Sequence, residues 1–534
     1  MAAAVTLARL GKLVAEDVAA GQPGANSQLV YDFLGLQPQA VLDLVDMVAA
    51  EAGKKRRNEN MVAAYAHMIG QALEFARYGI EAGHSDAAEL AENVRQRLLA
   101  IGKGGQIEPP LLLLILSQFA TAKLDPGPEL RELLEHLATR RARELADSQA
   151  VVGLENHFEE LVRAVDGDPF LFYSQISEMS EAFPEDHRAA MGSMLLQSSE
   201  APAREAALGW LLDRSASVRN LAASALERAA AVGGVSGVML RHMITLRNWL
   251  PESDRASLDR AIHACRRKPV EITPCPQPQV RDVLASVIDG AGAQSIFVVS
   301  REGRRNAIAC ILLKDGVGIR DAWTRHGLTR SELDEFLTQL EEIELLPVNL
   351  DYARIAVAHA LAVQKIPEAM PPFLLLDAME TGGLQNVQPE ELPADRLLDM
   401  LAETADPAFS RPEMAAEILK ASRDLPDELG TLDSWFEEGA EVDQLLRAKN
   451  LTRSRRIELV QDDLLPRRIK KWINRLAWTA LTLQHGEEDE PWQEFFISAR
   501  ELNAGRAINE IPLMMRVAAN TVDALIANHP RKRR

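Results

Sequence analysis

Residues 201–230, APAREAALGWLLDRSASVRNLAASALERAA, decide how this chain is read. They predict two short amphipathic helices joined by a tight turn. Pro202 stands where a helix can start, because the N–H it lacks is one of the donors that a first turn leaves free. Ala206, Ala207, Leu208, Leu211 and Leu212 make one apolar stripe at helical spacing. Asp213 to Ser217 is the turn, with Ser217 the expected N-cap of the next helix. Val218, Leu221, Ala222, Ala225 and Leu226 supply the second stripe. A helix pair this small cannot bury both apolar faces alone, so it needs similar pairs on either side.

The spacing Pro202, Leu208, Leu211, Asp213, then Val218-Arg219, Ala222 and Leu226 resembles the HEAT-type (armadillo-like) helical repeat. The resemblance implies an α-solenoid in which the Asp213 and Arg219 positions tie neighbouring helix pairs together. It implies an architecture and no chemistry.

Composition agrees with a helical array. The 534 residues are too many for one ordinary core. Hydrophobic residues make up 47%, charged residues 26% and aromatics only 5%. Abundant Ala and Leu with few aromatics favours close-packed helices, since both lose little on entering a helix. The net charge of −19 argues against a whole surface built for nucleic acid or anionic membrane. Three cysteines, Cys265, Cys275 and Cys310, are an odd and sparse set that suits a reducing compartment. Arg9, Lys12, Glu16 and Asp17 interrupt any apolar core of a secretory signal. The apolar run Leu111–Leu116 has six residues, where about 20 are needed to cross a bilayer. The expectation is a soluble cytoplasmic protein without membrane contact, and its Ala and Arg usage suits a GC-rich bacterial genome.

Breaks in the pattern divide the chain into a helical array over 1–146, HEAT-like helix pairs over 147–268, a Pro-rich linker at 269–280, a small α+β module over 281–345, and a C-terminal helical region over 346–530. In the first part, Lys54-Lys-Arg-Arg57 reads as a solvated loop between helices. Gly102-Lys-Gly-Gly105 lacks the Ser or Thr after Lys and the preceding strand of a phosphate loop, so it reads as a helix end. The linker carries four prolines between Lys268 and Pro278, which no helix tolerates. Beyond it, Ser295–Ser300, Asn306–Leu313 and Val317–Trp323 alternate as strands, separated by turns at Arg301–Arg305 and Lys314-Asp-Gly316. A three-stranded antiparallel meander follows, covered by a helix over Thr329–Glu342 with Thr329 or Ser331 as cap and Glu332 or Asp334 favouring its N-terminus. Residues 371–450 carry 18 acidic against 6 basic side chains, and 451–480 carry 3 against 8. These segments are expected to contact each other or a partner of complementary charge. An acidic hinge at Glu487–Glu490 and a frayed tail at Pro530–Arg534 complete the chain.

The sheet region is the best candidate for a site. Its Arg301, Arg304, Arg305, Lys314, Arg320 and Arg325 can meet a phosphate or carboxylate, because an arginine fork pairs with two oxygens at once. Set against this, they can simply offset acidic helices nearby. Lys314-Asp-Gly-Val-Gly-Ile-Arg-Asp321 is mostly a hairpin with Gly316 and Gly318 at its positive-φ positions. His263, Cys265 and Cys275 miss the spacing of a zinc finger and lack a fourth ligand. Trp472, Trp478, Trp492, Phe495 and Phe496 among Arg467, Arg468, Lys470, Lys471 and Arg475 read as core anchors with a solvated basic flank in preference to a base-stacking surface.

The reading is a mainly α protein, an α-solenoid of HEAT-like antiparallel helix pairs with an inserted α+β module. No catalytic motif, metal or cofactor is expected. The expected function is non-catalytic protein–protein binding along a curved helical surface, with Pro202, Asp213, Val218 and Arg219 structural in the repeat. Two alternatives stand beside it: a nucleic-acid or phosphate-ligand regulator using the basic sheet, and an enzyme or enzyme accessory subunit, which a pocket with converging polar groups would favour.

Overall fold

The computed structural model describes residues 6–20, 24–145, 160–267, 270–340, 343–364, 370–425, 429–446, 451–486 and 490–528. The expected tail at Pro530–Arg534 lies outside them. So do residues 487–489 of the acidic hinge, 268–269 at the start of the linker, 146–159 around the expected boundary between the first two segments, and the last two residues of the expected Thr329–Glu342 helix. The described chain is mainly helical, with one five-stranded antiparallel sheet. It forms two compact units: 1–210 with 217–225, and 211–216 with 226–534.

In the first unit, helix Glu59–Glu81 is the hub. Its 23 residues bury Val62, Tyr65, Met68, Ile69, Leu73 and Ala76 on several sides, so one neighbour cannot cover it. Helices Leu7–Ala19, Ser27–Leu36, Ala40–Ala52, Ser85–Lys103 and Pro109–Thr121 all pack against it. This part therefore wraps one long helix and is not a file of stacked pairs. Further along, Ala201–Ala206 packs on both Pro169–Ser180 and Glu185–Leu195.

Pro202 lies in the first turn of the Ala201–Ala206 helix, as expected. The expected single helix through Leu212 divides there, and Ala207–Leu212 tightens to a 3₁₀ turn. The Tyr173 hydroxyl donates to the Gly209 carbonyl at 3.2 Å in this segment. The next helix runs from Ala216 to Val232 with Ser215 as its N-cap, not Ser217. Asp213 Oδ1 accepts the Ser215 N–H at 2.8 Å, which sets the turn two residues earlier. Val218 and Arg219 are both buried on this helix.

In the second unit the strands are β1 Gln279–Ser286, β2 Ala293–Glu302, β3 Arg305–Lys314, β4 Gly318–Leu328 and β5 Leu345–Pro347. They lie in the order β4-β3-β2-β1-β5. The meander β2-β3-β4 was legible from alternation and turns; β1 and β5 extend it. A register shift between Val280 and Asp282 breaks the alternation of β1, and three residues of β5 carry no period.

Both faces of the sheet are covered. Helix Arg330–Gln339 sets Leu333 and Phe336 on Phe297, Val299, Ile308 and Cys310. Its N-cap Thr329 accepts the Glu332 N–H at 3.2 Å and donates its own N–H to the Glu332 carboxylate at 2.7 Å, a reciprocal box. Helices Leu350–Val363 and Leu375–Thr381 pack on β3 and β4. The Pro-rich segment is an extended arm held in place: Arg241 Nη1 donates to the carbonyls of Thr273 and Pro274, each at 3.0 Å. Around this core, helix Ile469–Gln484 packs on Ala394–Thr404 and Trp492–Asn503. Among the described residues no helix is long and apolar enough to cross a membrane.

Candidate functional site: a pocket at the turn end of the sheet

The turn after β3 is Asp315-Gly316-Val317. Gly316 and Gly318 take φ of 70° and 94°, and the register shifts between Leu312 and Leu313. The Asp-Gly hairpin therefore forms where the spacing placed it. The Gln364 side chain binds this strand end as a β-neighbour would. Its Oε1 accepts the Ile319 N–H at 3.0 Å and its Nε2 donates to the Ile319 carbonyl at 2.9 Å.

Arg475, on helix Ile469–Gln484, reaches the same turn with its side chain 1% exposed. Nη2 donates to Asp315 Oδ2 at 3.0 Å, and Nη1 donates to the Gly290 carbonyl at 2.9 Å. Its guanidinium lies 5.1 Å from the Trp472 ring centroid. One side chain thus joins the β1–β2 turn, the β3–β4 turn and a helix far away in sequence. Gly290 is required there: a Cβ on it would lie 1.6 Å from the Ser434 carbonyl oxygen. The Gly290 N–H donates to Ser434 Oγ at 2.8 Å, and Trp435 Nε1 donates to the Ile288 carbonyl at 2.8 Å.

Beside Arg475 the chain folds its acidic and basic segments onto each other. The Glu437 carboxylate is 1% exposed and accepts from Lys471 Nζ at 3.0 Å, from Trp472 Nε1 at 2.7 Å, and from Arg468. Arg467 and Arg468 both pair with Glu441. Trp472, Phe495 and Phe496 are buried, so they serve as core anchors.

A second buried network holds the other wall. Tyr352 donates to Gln294 Oε1 at 2.7 Å and lies 2.8 Å from Thr482 Oγ1, while Gln294 Nε2 donates to the Ser286 carbonyl at 2.8 Å. Burial pushes the Tyr352 hydroxyl up to about 12, so it stays a proton donor at any physiological pH.

Between these walls lies a pocket of about 270 Å³. Ile288, Leu313, Ala356, Ala360, Val363, Leu392 and Trp478 supply apolar lining; Lys314, Asp315, His359, Glu391 and Asn474 supply polar groups. His359 Nδ1 accepts the Leu392 N–H at 3.0 Å, which leaves the proton of the neutral ring on Nε2. Its ring lies 4.8 Å from that of Trp478, and burial holds its pKa below the ordinary value.

The six basic residues singled out in the sheet region do not share one patch. Arg301, Arg304, Arg305 and Arg325 stand at one end, whereas Lys314 and Arg320 stand at the other. Along the ten-residue β3, Arg305 and Lys314 are roughly 30 Å apart at about 3.4 Å per residue, and even Arg320 and Arg325, five residues apart on β4, are separated by about 17 Å. At the first end, Arg301 Nε donates to the Gly303 carbonyl at 2.9 Å and Arg325 covers the Phe336 ring at 4.7 Å. Close by, His326 bridges two carboxylates, with Nδ1 2.8 Å from Glu302 Oε1 and Nε2 3.1 Å from Asp377 Oδ2. In the first unit, Lys54, Lys55 and Arg57 of the basic run line one open groove of about 890 Å³ with Gly105 and Arg97. Lys54, Arg57 and Arg97 are already paired there, with Glu51, Glu59 and Asp46 respectively. Among the described residues no three His, Cys, Asp or Glu side chains gather to hold a metal ion, and the three cysteines are free thiols.

Fold and pocket together define a mainly helical protein with a small antiparallel sheet whose turn end is built into a cavity. Comparison with known proteins places this combination among similar ones. Residues 184–269 match the model of the Y4lR second domain, 276–380 match a domain of unknown function (DUF7401), and 395–526 match the Y4lR C-terminal helical domain. The chain is also similar to the "Uncharacterized protein y4lR" of Sinorhizobium fredii, with 27% identity over 474 residues, 86% of this chain and 88% of that protein. No solved structure matches. Lys314, Asp315 and His359 lie within the second matched segment; Asn474, Arg475 and Trp478 lie within the third.

Two outcomes follow from this geometry. Asp315→Ala strands a guanidinium that is 1% exposed and should destabilise by about 3–5 kcal/mol. Arg475→Met strands a carboxylate that water can still reach and should cost about 2 kcal/mol; urea unfolding of both variants measures the asymmetry. The hydrogen bond to Asp377, aided by Glu302, raises the His326 pKa from 6.5 to about 9. Because the folded value is the higher one, this contribution is complete below pH 6.5 and is lost as pH rises through about 9. The His326 ring proton, followed by NMR, should titrate near the upper value, and Asp377→Asn should lower the midpoint.

Proposed function

We propose that this chain is a non-catalytic binding protein, whose second unit holds a small ligand in the pocket and whose helical surface meets a protein partner. The carrying observation is how the pocket's polar groups are committed. Asp315 is bound by Arg475, and His359 Nδ1 takes the Leu392 N–H. Polar groups fixed on a rigid frame, set in an apolar wall, serve recognition.

The partner surface is supported by exposed apolar side chains in the first unit. The Tyr31 and Phe75 rings, 5.5 Å apart, seat helix Ser27–Leu36 on Glu59–Glu81. This leaves Leu29, Leu36 and Tyr78 exposed to solvent. The HEAT-like pairing around Ala201–Ala206 is consistent with an array of helices that presents such a face, and three free thiols suit a reducing cytoplasm. A second reading, an enzyme or enzyme accessory subunit, is favoured by the convergence of Lys314, Asp315, His359 and Glu391 on one cavity.

A thermal-shift screen of small metabolites tests the pocket. A ligand at 100-fold over its Kd should stabilise by about 2.7 kcal/mol and raise Tm by a few degrees. Val363→Trp, which fills the cavity, should abolish that rise. Shifts that persist in Val363→Trp would place the ligand elsewhere, and turnover of the bound compound would favour the enzyme reading.

A further inference from the structure

Away from the pocket, the β2–β3 end of the sheet gathers arginines. The two-residue turn Gly303-Arg304, with Gly303 at a φ of 61°, sets Glu302 opposite Arg305. Arg301 follows Phe297 and Val299 at period two, and Arg325 pairs with Ile308, so both continue the sheet face that helix Arg330–Gln339 covers. Arg301 and Arg305 stand on neighbouring strands about 4.8 Å apart, and Arg325 lies one strand further and about 10 Å back along β3. Arg301, Arg304, Arg305 and Arg325 are all exposed. The Arg325 guanidinium lies 4.7 Å from the centre of the Phe336 ring.

The carboxylates nearby are committed to other groups. Glu302 and Asp377 face the two nitrogens of His326. Glu332 accepts from the Thr329 N–H and hydroxyl, each at 2.7 Å, and Asp334 lies 3.7 Å from Arg330. Thr329 chiefly, with Arg305 nearby, holds the Glu332 pKa below its ordinary value, yet among the described residues none of the four arginines makes an ion pair. Arg467, Arg468 and Lys471 behave otherwise and take Glu437 and Glu441. With 78 acidic against 59 basic side chains, the chain has carboxylates to spare. Four guanidinium groups held together without one suit an anion that the chain does not carry, and an arginine fork matches phosphate oxygens two at a time. The patch runs about 10 Å along the strands, the length of about three phosphates at roughly 3.4 Å each. The acid surplus elsewhere is screened beyond about 10 Å at 0.1 M salt. Arg325 adds a flat exposed plane on which an unpaired base stacks. We propose that this end of the sheet binds a single-stranded nucleic acid without reading its sequence: Arg301, Arg304 and Arg305 meet successive phosphates, and Arg325 stacks on a base.

Fluorescence anisotropy on the full chain tests this with a labelled strand of about twelve nucleotides at about 50 mM salt. Three phosphate contacts on a single strand predict a slope of log K against log salt of about −2. Arg304→Ala with Arg305→Ala should flatten the slope to about −0.7 and weaken binding at least about tenfold. Arg325→Met, which keeps an aliphatic cover on Phe336, should narrow the preference for the strand over a duplex of equal length. Lys55→Ala with Arg56→Ala, exposed cations of the first unit, should bind as wild type does. The arginine positions are exposed, so their variants should keep the wild-type thermal midpoint; if one does not, the salt slope and competition on wild-type protein decide. Absence of binding, a flat salt slope, or arginine variants that bind no worse than the first-unit control would overturn the proposal. So would a duplex bound as tightly as the single strand. Poly-L-glutamate that displaces the strand as well as unlabelled strand of equal charge would also overturn it, and would make this end a surface for acidic polypeptide.

Discussion

The second unit depends on one buried guanidinium. Arg475 is 1% exposed and gives its two ends to different turns, the Gly290 carbonyl on one side and Asp315 on the other. A charge taken this far from water is tolerated only with partners in good geometry, so it holds those partners in register. Arginine suits the role because its planar fork donates in two fixed directions and its face stacks on Trp472. The loop at Gly290 can approach Ser434 because glycine leaves room, and Trp435 then closes over Ile288. The pocket is a by-product of that bracing: two turns pinned by a helix line it, together with the helix that buries Tyr352 and carries His359.

The charge pattern has the same logic. A surplus of carboxylates over 371–450 and of cations over 451–480 looks, in one dimension, like an adhesive surface. In three dimensions a large part is spent internally, with Glu437 and Glu441 taking Arg467, Arg468 and Lys471. The lysine and arginine run at 54–57 behaves alike, since Lys54 and Arg57 are matched by nearby glutamates.

Local signals carried the reading where structure is local. Strands β2, β3 and β4 announced themselves through period-two alternation and an Asp-Gly turn, and Thr329 with Glu332 marked the helix that covers them. The strand β1 hid behind a bulge, and β5 is three residues that exist only because β1 leaves an edge to pair. The stretch 201–230 showed its two helices but not the 3₁₀ turn at Ala207–Leu212, where a tyrosine from another helix hydrogen-bonds the Gly209 carbonyl. The wrapping of helices around Glu59–Glu81 was equally hidden, because apolar stripes give a helix faces and not neighbours. The pocket is half visible in the sequence: Lys314-Asp-Gly reads as a turn, but no local pattern marks His359. Arg475 looked like a solvated flank of Trp472 and Trp478, because helical spacing alone cannot tell a buried arginine from an exposed one. Only the fold brings the Asp315 turn to it.

If Arg475 is the brace, its loss must be felt at both turns together. Hydrogen–deuterium exchange on Arg475→Met, compared with wild type, is the direct measurement. Peptides spanning 287–292 and 314–318 should lose protection in step, with the 433–437 segment that rests on Gly290 following them, while the hub helix Glu59–Glu81 in the other unit exchanges as before. Unchanged protection at both turns, or deprotection confined to the helix that carries residue 475, would contradict it.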